Sequence, residues 1–500
     1  MRLERNLLVG LANSGWSALL GLAVVPLYLK YLGIESYGLI GFFATTQALF
    51  QLLDMGMAPT INREVARGMA SGNMREARNL LHTLAVIYWV VAVVIVLLVF
   101  ALAPAISKYW LQSKNLTPDT IFHAVVLMGV VVAARWPVGL YQGALMGAQR
   151  LAVAGSINIV MVTLGNLGAV VVLALVSPTV EAFFIWQAAV GLVYAETMRR
   201  AARRVLGVEE SQQFEWNSLK RVWRFSAGMS VVALSGVIFT QMDKIILSKL
   251  LGLAEFGQYM LATLVVSGLY VLVTPFFNVV YPRFSALVAN GQTARLMDFY
   301  RLCARVLATV LFPLAMLLVL NAQDLVMVWT GNAGIAAGVA PVIALLATGS
   351  ALHGIMYLPY ALQLAYGETR LPIVITLALI VLLVPLIVLL TLPLGAKGAA
   401  MAWLALHVMY LIIGTWLTHR HLLKGIALTW IFQDVGIPFL VTAVVGLAGS
   451  VYIQAMEHTV YGRLVFGVLL ALTASILSTA LSSKMRTIVL NRLGWTNGRT

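Results

Sequence analysis

Seven ionisable side chains interrupt long apolar stretches of the sequence: Asp54, Arg135, Glu196, Asp243, Lys244, His353 and His407. A charge at the centre of a bilayer costs at least about 2.5–3.5 kcal/mol, so ionisable groups in such stretches are candidates for function. A carboxylate or imidazole there can carry a proton, and a guanidinium or ammonium can hold an anion such as phosphate. The clearest pattern is Gln47, Gln51 and Asp54, whose spacings of four and three place them on one face of a helix. Two amides and a carboxylate in one stripe offer donors and acceptors to a hydroxyl-rich ligand. Asn13, Asn158, Asn166 and Gln241 add further amides, which serve equally well as glue between membrane helices.

Depth along the helices sorts the charges. Asp54 comes 16 residues after Gly38, roughly 24 Å along, and Arg135 comes about 14 residues into its own stretch, roughly 21 Å along. The like depths predict that Asp54 and Arg135 share one region of one bundle, with Pro137 loosening the helix beside them. A structural salt bridge between them and an anion-binding role for Arg135 are both open. Asp243 and Lys244 come about 18 residues into another stretch, roughly 27 Å along and near its far interface. Neighbouring helical residues point about 100° apart, so these two are expected not to pair. One would face a cavity while the other snorkels outward: Lys244 as anchor or anion contact, Asp243 as cavity or packing group. His353 and His407 are either proton relays or packing donors. With Asp54 and Asp243 they are the candidates for carrying a coupling ion.

What must position these groups is a bundle of membrane helices. Of 500 residues, 61% are hydrophobic and 10% charged, with a mean hydropathy of +0.93, whereas soluble domains carry about a quarter charged residues. Apolar runs of about 20 residues, enough to cross ~30 Å of hydrocarbon, recur fourteen times. They cover 7–29, 38–58, 81–103, 120–142, 151–175, 182–198, 225–248, 257–278, 302–322, 336–360, 371–390, 398–417, 433–453 and 464–482. Runs such as VVAVVIVLLVF (90–100) do not alternate, which argues against a β-barrel. The fold expected is an all-α polytopic membrane protein.

With the N-terminus in the cytoplasm, 25 of the 33 lysines and arginines fall in cytoplasmic loops and ends. Six fall outside, and two, Arg135 and Lys244, lie within helices. The positive-inside rule is then met with both termini cytoplasmic, and Asp54 and Arg135 belong to the cytoplasmic half. The net charge of +15 is spread over inner loops, which points to anionic lipid headgroups as partners and away from nucleic acid. The first apolar segment reads as an uncleaved signal anchor. Cys303, the single cysteine, leaves no internal disulfide and no cysteine cluster for a metal.

The chain also repeats itself. KLLGLAEFG (249–257) lies over KYLGIESYG (30–38) at an offset of 219, and GETRL (367–371) over GAQRL (147–151) at an offset of 220. The shifts agree, so the sequence reads as two copies of six helices, parallel because six is even, followed by two more. The domains expected are 1–210 for the first lobe and the start of a connector, 211–428 for the second lobe, and 429–500 for helices 13 and 14 with a tail. The connector, 199–222, runs from RRAARR (199–204) into EESQQFE (209–215). Two bundles that rock about a site suit a transporter, and a one-bundle receptor does not fit.

The passages PLYLKYLGIESYGLIGF (26–42), LLDMG (52–56), LMGAQRL (145–151), QMDKIILSKLLGLAEFGQY (241–259) and LGAKGAAMAW (394–403) carry a resemblance. Through them helices 1–12 are similar to the oligosaccharide or O-antigen repeat-unit flippases of the multidrug/oligosaccharidyl-lipid/polysaccharide exporter superfamily. The resemblance implies two lobes around a cavity that move an undecaprenyl-diphosphate-linked glycan across the bacterial inner membrane by alternating access. It implies basic residues at the diphosphate and other polysaccharide-assembly membrane proteins as partners. Its motifs are glycines, aromatics and one aspartate, so it carries no set of ligand residues onto this sequence.

No P-loop of the form GxxxxGK[ST] occurs, which removes ATP as the direct drive, and HExxH, GxSxG and CxxC are absent. The longest outer loop, 104–119, carries only Asp119 as an acid, which argues against a membrane glycosyltransferase. A non-enzymatic carrier without cofactor or metal is expected. Within the superfamily, a multidrug antiporter would want an acidic site inside one lobe, where Asp54 is the candidate. A peptidoglycan-precursor flippase would want basic residues on helix 1, and 7–29 holds none.

Overall fold

The computed structural model describes residues 2–54, 56–207, 214, 216, 237–455, 459–482 and 484–487. Among them there is no strand; one isolated bridge joins Gln112 and Gly252. Ten helical stretches are long and apolar enough to cross a membrane, and two of these, Gly15–Asp54 and Arg370–His421, each contain two of the expected spans. The protein is thus an all-α polytopic membrane protein of about fourteen transmembrane helices. The first part of the seventh expected span, the connector beyond Gly207 apart from two residues, and the tail from 488 lie outside the described residues. The chain separates into two compact units, Met1–Gly257 and Gln258–Thr500.

In the first unit, α1 (Arg2–Phe50) holds the first two spans in one helix that bends at Gly33, whose φ of 78° suits glycine alone. A 3₁₀ turn, Gln51–Asp54, follows, and left-handed Gly56 separates it from α2 (Met57–Ser71). The expected span 38–58 therefore stops early. The unit continues through α3 (Arg75–Ala105), α4 (Pro118–Arg135), α5 (Val138–Gly147), α6 (Leu151–Leu175), α7 (Val180–Leu206), α8 (237–250) and the start of α9 (Leu253–Ser267). The expected span 120–142 is two helices, because Pro137 has no N–H and its ring would meet the carbonyl of Ala133. RRAARR belongs to the end of α7. Leu39, Ile61, Leu84, Ala124, Leu140 and Phe184 lie at the heart of this unit's core, each without solvent exposure.

The second unit takes the rest of α9, then α10 (Tyr270–Ala289), α11 (Thr293–Thr330), α12 (Ala333–Ala365) and α13 (Arg370–Met409), which bends at Gly395 with φ 58°. The expected span 257–278 breaks at Gly268 and Leu269 between α9 and α10. After α13 come α14 (Thr415–His421), the single turn α15 (Ala427–Thr429), α16 (Ile437–Ala455) and α17 (Val460–Leu481). The last two pack along α11 and are tied to it by ion pairs. Asp434, in the turn before α16, takes Arg301 at 2.7 Å and Arg305 at 2.5 Å; Arg463 of α17 takes Asp324 at 2.6 Å. Arg301 and Asp324 are roughly 35 Å apart along α11, so the ties hold both ends.

Candidate functional site

A cavity of about 760 Å³ lies within the first unit. α1 contributes Tyr28, Phe43 and Gln47, and the turn after it contributes Gln51 and Asp54, so the predicted stripe does face one space. Tyr88 comes from α3, Arg135 from the last position of α4, and Gln142 from α5. α6 adds Asn158 and Asn166, and α7 adds Gln187 and Tyr194. Amides and hydroxyls from five helices and a guanidinium from a sixth thus converge on one volume.

Asp54 and Arg135 both line the cavity, and the salt bridge that the sequence left open between them is not formed. Asp54 accepts the Tyr88 hydroxyl and, at 3.4 Å, the Ala58 N–H of the following helix. The Arg135 guanidinium donates to Gln187 Oε1, whose amide is fixed by an Nε2 donation to the Gly165 carbonyl at 3.1 Å. Its charged carbon sits 5.9 Å from the Phe43 ring. Arg135 therefore has one neutral acceptor for five N–H donors, and no carboxylate among the described residues neutralises it. Behind the lining, Asn13 accepts from Asn158 Nδ2 at 2.6 Å while Tyr194 donates to Asn158 Oδ1 at 2.6 Å. Tyr28 donates to Asn166 Oδ1 at 3.3 Å and to its carbonyl at 3.1 Å. Asn13 is thus a support of the wall and not part of the lining.

Residues 3–288 match a family model described as polysaccharide biosynthesis protein. The chain belongs to that family. No curated protein matches the sequence. Among solved structures it is similar to the lipid II flippase MurJ in an inward closed conformation, with a TM-score of 0.70 at 14% identity over 97% of this chain and 99% of that one. It is also similar to an inward-facing multidrug resistance MATE family transporter of the MOP superfamily, at 0.67 and 14% over 81% and 94%. A MOP superfamily transporter from Pyrococcus furiosus gives 0.55 and 14% over 84% and 94%. At these identities the likeness is one of fold. The protein is accordingly a polysaccharide biosynthesis family member with the fold seen in those transporters.

The remaining candidates of this polysaccharide biosynthesis family member lie away from the cavity. Asp243 and Lys244 do pair, at 3.0 Å, against the sequence expectation. The lysine chain is long enough to fold back along α8, where its Nζ also takes the Thr240 carbonyl at 2.8 Å. Asp243 is buried, and neither it, Lys244 nor Gln241 lines the cavity. Glu196 is shared by Arg199 at 3.4 Å and Arg200 at 2.8 Å. His353 and His407 belong to the second unit and are not lone histidines: their rings lie 4.7 Å apart. His353 Nδ1 meets the Tyr270 hydroxyl at 2.6 Å, and His407 Nδ1 meets the Trp403 carbonyl at 2.8 Å. Sequence reading missed Tyr28, Tyr88, Gln142, Gln187 and Tyr194 as lining. A signal existed for two of them, since Gln187 and Tyr194 are seven apart, two turns on one helix face.

Proposed function

We propose that this protein flips an undecaprenyl-diphosphate-linked oligosaccharide, an O-antigen or other polysaccharide repeat unit, to the outer leaflet of the bacterial cytoplasmic membrane by alternating access, both termini being cytoplasmic. The observation that carries this reading is Arg135, a cation without a carboxylate partner among the described residues, at the wall of an amide-lined cavity. A diphosphate supplies the acceptors that a guanidinium fork lacks here. Gln47, Gln51, Gln142 and the tyrosine hydroxyls offer hydrogen bonds to sugar. Asp54 and Tyr88 form the proton-carrying pair of the cavity, with His353 and His407 as a second coupling candidate in the other unit. Fold likeness to a lipid II flippase favours a second reading, a peptidoglycan-precursor carrier, which shares the lipid diphosphate chemistry and differs in the sugar.

The test is mass spectrometry of lipid-linked intermediates from cells depleted of the protein. An undecaprenyl-diphosphate oligosaccharide should accumulate, and Arg135→Gln should fail to clear it while Arg135→Lys clears it in part. Unchanged lipid-linked glycans would overturn the proposal. Accumulation of the peptidoglycan precursor alone would replace it with the second reading.

A further inference from the structure

A second cavity of the first unit, about 570 Å³, lies on another face of α3 from the first. The two faces divide at adjacent residues: Tyr88 points to Asp54, whereas Trp89 lines the second cavity. Its α3 wall runs from Leu81 and His82 through Ala85, Val86 and Trp89 to Val90 and Val93, spacings of three and four that make one continuous face. Val86, Val90 and Val93 are 41%, 57% and 58% exposed, so the protein itself leaves this apolar wall uncovered. Tyr141 of α5 meets the Trp89 indole along that wall, while the imidazole and guanidinium groups lie at one end of it. His82 is there, with Arg199 and Arg203 reaching over from the last turns of α7.

The rim is built. Arg78 Nε donates to the Leu206 carbonyl at 2.7 Å and so pins the first turn of α3 to the end of α7. Glu196 serves both Arg199 and Arg200, and among the described residues no carboxylate pairs with Arg203. One end of the groove therefore carries surplus positive charge, while the rest carries no charge and is apolar apart from Trp89 and Tyr141. From His82 to Val93 the wall is roughly 16 Å long, about half of a ~30 Å hydrocarbon core. A groove of one leaflet's depth with a cationic head complements an acyl chain carrying a phosphate.

We infer that the groove between α3 and α7 is a binding site for an anionic phospholipid, with its phosphate on Arg199 and Arg203 and one acyl chain along Val86, Val90 and Val93. The occupant is a lipid of the surrounding bilayer and not the transported one, because the groove faces away from the Asp54 and Arg135 cavity and a polyprenyl chain would overrun a single leaflet. It acts as a resident brace of α3, the helix that presents Tyr88 to the cavity.

The full-length protein in detergent, titrated with phosphatidylglycerol or phosphatidylcholine and read by native mass spectrometry, tests this. Each arginine near a lipid phosphate is worth about 1 kcal/mol, or about fivefold in affinity. One phosphatidylglycerol should bind well above phosphatidylcholine, Arg203→Gln should weaken it about fivefold, and Arg199→Gln with Arg203→Gln about 25-fold. Arg204→Gln, outside the lining, should leave it unchanged, and Val90→Phe should lower binding of both lipids by filling the groove. Size-exclusion profiles identify any variant that has not folded. Equal affinity for the two lipids, or an unaffected double arginine variant, would overturn the site. Displacement of phosphatidylglycerol by equimolar undecaprenyl diphosphate would overturn the assignment to a bilayer lipid.

Discussion

Asp54 and Arg135 are the two charges of the cavity, and each is held by its own neutral partner. A pair that exists only to lock helices would survive exchange of its members, but these two have different neighbours: Tyr88 before Asp54, Gln187 before Arg135. Installing Asp54→Arg together with Arg135→Asp is therefore expected to leave flipping lost, read as persistent lipid-linked oligosaccharide. Recovery of flipping in the double variant would show that the two charges act as an exchangeable pair. Tyr88→Phe removes one hydrogen bond to a carboxylate, worth about 1.5–3 kcal/mol, and should depress transport less than Asp54→Asn. Legibility in the sequence was uneven at this scale. The stripe Gln47, Gln51 and Asp54 could be read because all three sit on one helical repeat, and charges in apolar runs announce themselves. Tyr88 and Tyr28 could not, because a tyrosine among apolar residues looks the same whether its hydroxyl meets a partner in a core or a ligand in a cavity. The Asp243 and Lys244 pair was misread because backbone directions alone ignore the reach of a lysine.

Elements place these residues through breaks and close approaches more than through helix propensity. The span count was legible because hydrophobic length is a strong signal. The breaks at Gly56, Pro137 and Gly268 were less so, since a glycine or proline in a membrane helix is as often tolerated as obeyed. One close approach was available in the sequence and passed over: Gly139, Gly143 and Gly147 recur every four residues on α5. A Cβ on Gly143 would strike the Ala58 carbonyl and one on Gly147 the Asn62 carbonyl, so α5 lies against the backbone of α2 along this glycine edge. That seat also fixes Gln142 in the cavity wall. Gly143→Val is expected to destabilise the fold by about 1–3 kcal/mol, visible as a lowered midpoint of thermal unfolding in detergent. An unchanged midpoint would show that α2 and α5 yield freely.

For the molecule as a whole, the asymmetry of lysine and arginine makes a sharp statement about orientation. Cys303 is buried, so the wild-type chain offers a silent background for labelling with a membrane-impermeant maleimide. Asp119→Cys, in the first turn of α4, should label in cells with an intact inner membrane, and Lys424→Cys only after lysis; the reverse order would invert the topology. The helix count was readable at this scale from hydrophobic length. The bracing of the last two helices was not, because an ion pair 133 residues apart leaves no local trace. That pair has a consequence in time. Arg301 and Arg305 leave the ribosome long before Asp434, and at about 5–20 residues per second the wait is roughly 7–27 s. For that interval the growing chain holds two arginines whose acid has not yet been made. A chain that stops short of Asp434 holds them permanently without that acid, so the bracing of α11 is the last step of building this unit.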